Sequence, residues 1–132
     1  LEADPDDHRR VGQGIDAVTG LSSGIGDWWT DLACIVRFNT SNRIDVRNGS
    51  SYAADATVAY TASATYHVRM VVNVSNHTYS VYVTPPGQSE ITLASGYAFR
   101  TEQQSITSID HWTLNAGNSV GTHTVSSLTL TE

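Results

Sequence analysis

Between Tyr66 and Val74 apolar and polar residues alternate. Tyr66, Val68, Met70, Val72 and Val74 fall on one side, and His67, Arg69, Val71 and Asn73 on the other. Successive side chains of an extended chain point to opposite faces, so a period of two predicts a half-buried β-strand. After Ser75-Asn76-His77 the alternation resumes: Tyr79, Val81 and Val83 continue the apolar face, and Ser80, Tyr82 and Thr84 point outward. Two such runs around a short polar break read as a hairpin. Pro85-Pro86-Gly87 must end it, because proline cannot donate to a central ladder. By the same pattern Leu32, Cys34, Val36 and Phe38 point inward and Arg37 outward. Ile44 and Val46 are inward, between outward Arg43, Asp45 and Arg47.

Over the whole chain this pattern predicts strands near 15–21, 31–39, 43–48, 57–61, 66–74, 78–84, 90–94, 108–114 and 124–131, with no useful helical period. The separators carry turn chemistry, and Asn48-Gly49 favours a tight turn with positive φ. Short strands joined by such turns predict an all-β fold, an antiparallel sandwich or barrel. The 132 residues make a single domain, 1–132, with 1–13 an irregular or cut edge.

Composition narrows the function classes. The net charge of −6 disfavours nucleic acid, whose phosphates need basic partners. No stretch approaches the length of a membrane span, so no membrane insertion is expected. The lone Cys34 rules out an internal disulfide and offers no metal spacing; its register with Val36 and Phe38 reads as core. All seven cations are arginine, whose planar forks suit fixed recognition of oxygen-bearing groups.

Three strands turn arginine away from the core, one with Asp45 and one with His67. If they share a sheet, Arg37, Asp45, Arg47, His67 and Arg69 form one polar floor of interleaved donors and acceptors, which suits sugar hydroxyls or acidic glycans. Aromatic rings would stack on the sugar; Tyr52, Tyr82, Trp28, Trp29 and Trp112 are candidates. Adjacent tryptophans in an extended segment point opposite ways, so one of Trp28 and Trp29 is expected in the core and the other exposed. Trp28 and Tyr82 join the site set. The competing reading makes the charged row ordinary cross-strand ion pairs on a solvated face. Asp16, Asp27, Asp31, Asp110 and the N-terminal Asp4, Asp6 and Asp7 are the oxygen donors on which a structural calcium could draw. No other cofactor is implied. Catalytic motifs are missing, and no local carboxylate pair suits a glycosidase. One enzymatic alternative stands, a polysaccharide lyase using His67 and Tyr82 as base and acid.

The hairpin of "YHVRMVVNV", a polar turn, "YSVYV" and a Pro-Gly bend resembles the central hairpin of concanavalin A-like (laminin-G-like, lectin-like) jelly-roll domains. "SIDHWTLNA" and "VGTHTVSSLTLTE" resemble their closing strands. The segment from Thr30 to Pro85 also resembles modules attached to secreted bacterial polysaccharide-degrading enzymes. The resemblance implies a two-sheet antiparallel jelly-roll sandwich that is secreted, non-catalytic and binds a polysaccharide on a concave sheet. The glucanase Glu-x-Asp-x-x-Glu strand has no match here. "FRTEQQS" supplies Arg100 and Glu102 of an alginate-lyase-like strand without its second arginine. The rival expectation is a structural or adhesive module. The lack of lysine leaves sheet edges without a common guard, so self-association is its mark.

Overall fold

Alternation becomes strand pairing in a computed structural model, which describes residues 2–3, 14–116 and 123–131. Its strands are β1 (Glu2–Ala3), β2 (Ala17–Ser22), β3 (Leu32–Phe38), β4 (Ile44–Asn48), β5 (Ser51–Ala53), β6 (His67–Asn73), β7 (Thr78–Thr84), β8 (Ile91–Ala98), β9 (His111–Ala116) and β10 (His123–Thr124). They form an antiparallel five-stranded sheet ordered β5-β4-β3-β2-β9, a three-stranded sheet β6-β7-β8 and a short β1-β10 pair. The two larger sheets pack face to face. Ala17, Cys34, Val36, Phe38, Ile44 and Val46 from one meet Tyr79, Val81, Val83, Leu93 and Ala94 from the other. Burying these apolar faces is the main favourable term in the fold.

The β6-β7 hairpin pairs from His67↔Thr84 to Asn73↔Thr78, around a turn in which His77 takes a φ of 53°. Asn48↔Ser51 closes β4-β5 over Gly49-Ser50, with Gly49 at a φ of 60° that a residue with a Cβ adopts only with strain. The segment 57–61 forms a single bridge, Arg43↔Ala59, rather than a strand. The predicted 124–131 strand pairs only at its start. Leu32 departs from its period: a bulge between Leu21 and Ser22 opposes Leu21 to Cys34 and Ser22 to Leu32. Leu32 therefore joins Val18, Ile35 and Tyr52 in a second small cluster away from the main core.

A tyrosine hydroxyl reaches across the sandwich. β3 and β4 pair at Phe38↔Ile44, Arg37↔Asp45 and Val36↔Val46, and there the ladder stops. The next rung would join Ile35 to Arg47. Instead the Tyr79 hydroxyl, reaching from β7, accepts from Ile35 N–H at 3.1 Å and donates to the Arg47 carbonyl at 2.5 Å. The phenol stands in for a backbone rung and satisfies a buried N–H and a partly buried carbonyl. Burial lifts its pKa far above that of a free tyrosine, so it remains a donor.

Candidate functional site

The outer face of the five-stranded sheet carries the residues that alternate away from the core on β2, β3, β4 and β5. Cross-strand pairing puts Arg37 beside Asp45 and Arg47 beside Tyr52. Arg37 forks onto Asp45, Nε to Oδ1 at 2.9 Å and Nη2 to Oδ2 at 2.6 Å, while Asn39 donates to Oδ2 at 3.0 Å. Burial opposes the Arg37 charge, but this fork outweighs it and holds the guanidinium pKa above its ordinary value. The Tyr52 ring lies under both cations, 3.7 Å from Arg37 Cζ and 5.2 Å from Arg47 Cζ. Burial raises the Tyr52 pKa although both arginines act to lower it, which keeps the phenol protonated and unsuited to be a base.

Walls rise around this floor from two loops. The turn at Trp29–Asp31 leads into β3, and the turn at Thr101–Gln103 follows β8. Backbone bonds from Arg100 N–H to Ala33 O (2.9 Å) and Thr101 N–H to Gly49 O (3.2 Å) tie the second turn to β3 and to the β4-β5 hairpin. Gln103 Nε2 donates to Thr30 O at 2.9 Å and joins the two turns. They enclose a recess of about 260 Å³. Arg37, Arg47, Tyr52 and Val18 line it from the sheet, Trp29 and Arg100 from the loops, and Asp16 and Asn115 from the β2-β9 side. Pockets for drug-sized ligands start at roughly 300 Å³, so this space suits one ring-sized group.

The arginines differ in their pairing. Arg37 is matched to Asp45. Arg47 Nε donates to the Gly49 carbonyl at 2.9 Å, and Arg47 pairs with no carboxylate among the described residues. Arg100 is only 6% exposed. Its Nε lies 2.8 Å from Glu102 Oε2 without hydrogen-bond alignment, and Nε and Nη1 both lack a hydrogen-bond partner.

The expected floor is thus divided. Arg37, Asp45 and Arg47 meet on the outer face of the five-stranded sheet. His67, Arg69 and Tyr82 lie on β6 and β7, on the outer face of the other sheet, with the core between the two groups. There Arg69 stacks on Tyr82 (4.1 Å to the ring centroid) and forks onto Glu90 at 3.1 and 2.7 Å. That bond holds the Glu90 carboxyl below its usual pKa. His67 and Tyr82, the expected lyase pair, share this face, with Arg69 committed to Glu90 and Tyr82. Trp28 and Trp29 are both exposed, at 64% and 49%, and Trp29 rather than Trp28 lines the recess. The turn at 29–31 rotates the chain out of the extended phase on which the expectation rested. Arg100, Asp16 and Asn115 are additions. The sequence singles out Asp16 only as a calcium donor and Arg100 only through the "FRTEQQS" strand, and Asn115 not at all.

Two of the aspartates proposed for calcium, Asp31 and Asp110, are engaged elsewhere. Asp31 accepts from Trp28 N–H at 2.9 Å, and Asp110 accepts from Gly24 N–H at 2.7 Å and pairs with His111 at 2.8 Å. Among the described residues no three histidine, cysteine, aspartate or glutamate side chains converge. Asp4, Asp6 and Asp7 lie outside the described residues. No described helix is long and apolar enough to cross a membrane.

A stretch of 80 residues, 60% of this chain, is 32% identical to part of a gellan lyase from a Bacillus sp.. The matched part is 3% of that protein's length. No family model matches the chain, and no solved structure matches it.

Proposed function

We propose that this domain is a secreted, non-catalytic polysaccharide-binding module whose ligand seats in the recess on the outer face of the five-stranded sheet. The observation that carries the reading is a recess of about 260 Å³ lined by the exposed Trp29 and by Tyr52, whose ring lies under two guanidinium groups. The exposed Trp29 ring can take the C–H side of a sugar, Tyr52 holds the Arg37 guanidinium in place, and Arg37, Arg47, Asp16 and Asn115 offer fixed donors and acceptors for the hydroxyls. The partial match to a gellan lyase supports a polysaccharide context. So does the resemblance of the 66–87 hairpin to lectin-like jelly rolls. A binding role fits the recess better than catalysis does: its tyrosine is held protonated, and Arg37, the cation nearest that ring, is already neutralised by Asp45.

Affinity gel electrophoresis over a panel of polysaccharides tests this. Retardation by at least one polymer is expected. Arg47→Ala should abolish it, and Arg69→Ala, on the opposite face, should leave it intact. Retardation that survives Arg47→Ala but not Arg69→Ala would move the site to the three-stranded sheet. New absorbance from unsaturated sugar ends during incubation, lost in His67→Ala, would replace the binding reading with a lyase.

A further inference from the structure

Building on the polysaccharide-binding reading, we infer that the recess selects sugars bearing a carboxylate, and that Arg47 and Arg100 together receive that group. The argument begins with Arg100. A guanidinium removed from water and left short of hydrogen bonds is an unfavourable arrangement, because desolvation is offset only when the N–H groups find acceptors. Arg100 is in this condition, 6% exposed with Nε and Nη1 unpartnered. Its main-chain N–H is bonded to Ala33 O and Gln103 N–H to the Arg100 carbonyl, so the backbone holds the side chain at the recess.

The neighbouring cation is equally available. Arg47 keeps one donor, Nε, on the Gly49 carbonyl and has no carboxylate partner among the described residues. Arg37 serves a different purpose, since its fork on Asp45 is complete and positions it over Tyr52. Arg47, with no carboxylate partner among the described residues, and Arg100, whose ion pair is with a half-exposed carboxylate at the rim, together match the two oxygens of a carboxylate, which accept charge-assisted bonds about twice as strong as neutral ones. Glu102 is the built-in competitor. Its carboxyl, half exposed, sits 2.8 Å from Arg100 Nε; a bond from its own backbone N–H, and after it the Arg100 and Arg47 charges, lower its pKa. It is therefore an anion already held at the rim, and an incoming carboxylate displaces it. Trp29 then covers the sugar ring that carries the acid group.

The test uses the whole domain and a panel of alginate, polygalacturonate, gellan and xanthan, with neutral β-glucan, xylan and galactomannan. The strongest binder is then compared with its own carboxyl-reduced form, in which –COO⁻ has become –CH2OH. The expected result is a carboxylated best binder whose affinity falls at least about tenfold on reduction. Arg47→Gln should show a matching loss for the native polymer and little further change on reduction. Glu102→Gln, which removes the competing anion and leaves Arg100 in place, should tighten binding several-fold. A neutral best binder, or equal affinity for native and reduced forms, overturns the carboxylate inference and leaves polysaccharide binding standing. Retention of no polymer overturns both.

Discussion

Replacing Tyr79 with phenylalanine tests the interaction that splices β3 to β4. The substitution removes one oxygen and keeps the ring, which is 1% exposed and packs 6.1 Å from Phe99. It strands the Ile35 N–H and the Arg47 carbonyl, both served by the lost hydroxyl. Each buried polar group left without a partner costs about 1–3 kcal/mol, so Tyr79→Phe should destabilise the domain by roughly 2–4 kcal/mol. Natural domains have only about 5–15 kcal/mol in total, so the effect is large. Urea unfolding followed by tryptophan fluorescence reads it, and with a slope of about 1–3 kcal/mol/M the midpoint should fall by about 0.7–4 M. Arg47 is an anchor point, so the variant should also lose polysaccharide affinity while still folded at low urea. A stability loss below about 0.5 kcal/mol would refute the reasoning. It would mean that Ile35 and Arg47 can close the missing rung by themselves.

Other consequences can be checked alongside. Gly49→Ala, at a φ of 60°, should cost about 1 kcal/mol and weaken binding, since the Gly49 carbonyl holds Arg47 Nε; an unchanged melt would contradict the strain. Burial depresses the His123 pKa below its ordinary 6.5, so the unfolded chain takes up a proton first as the pH falls. Its contribution to stability is therefore complete above pH 6.5 and declines below it, and His123→Phe should lessen the stability loss between about pH 7.5 and about pH 5.5. Cys34 is fully buried and its thiol pKa is pushed far up by desolvation. A thiol reagent should label it only at the rate of global opening, and rapid labelling of native protein would show that the sandwich opens locally.

Much of the fold was legible because a strand with one wet face writes a period of two into its sequence. The 66–84 hairpin, the turn at Gly49 and the inward set Cys34, Val36, Phe38, Ile44 and Val46 follow from that period. Sheet membership does not. Arg47 and Arg69 both alternate outward, yet β4 pairs with β3 and β6 with β7, so their outward directions are opposite. Non-local pairing of this kind leaves no trace in a strand's own pattern. Leu32 was misplaced because a bulge shifts phase without changing composition. Arg100 was underrated because its burial comes from a loop that crosses the ends of β3 and β4, not from any strand's alternation. The Trp28/Trp29 expectation fails because the tight turn at 29–31 takes the chain out of the extended phase and leaves both rings exposed, with Trp29 at the recess.

The recess draws on chain positions from Asp16 to Asn115, so no fragment holding one hairpin or one sheet can reproduce it. Occupancy and global folding are then thermodynamically linked. An oligosaccharide present at about a hundred times its dissociation constant should stabilise the whole domain by roughly 2.7 kcal/mol. Unfolding measurements can therefore screen for the natural ligand without any assay of activity.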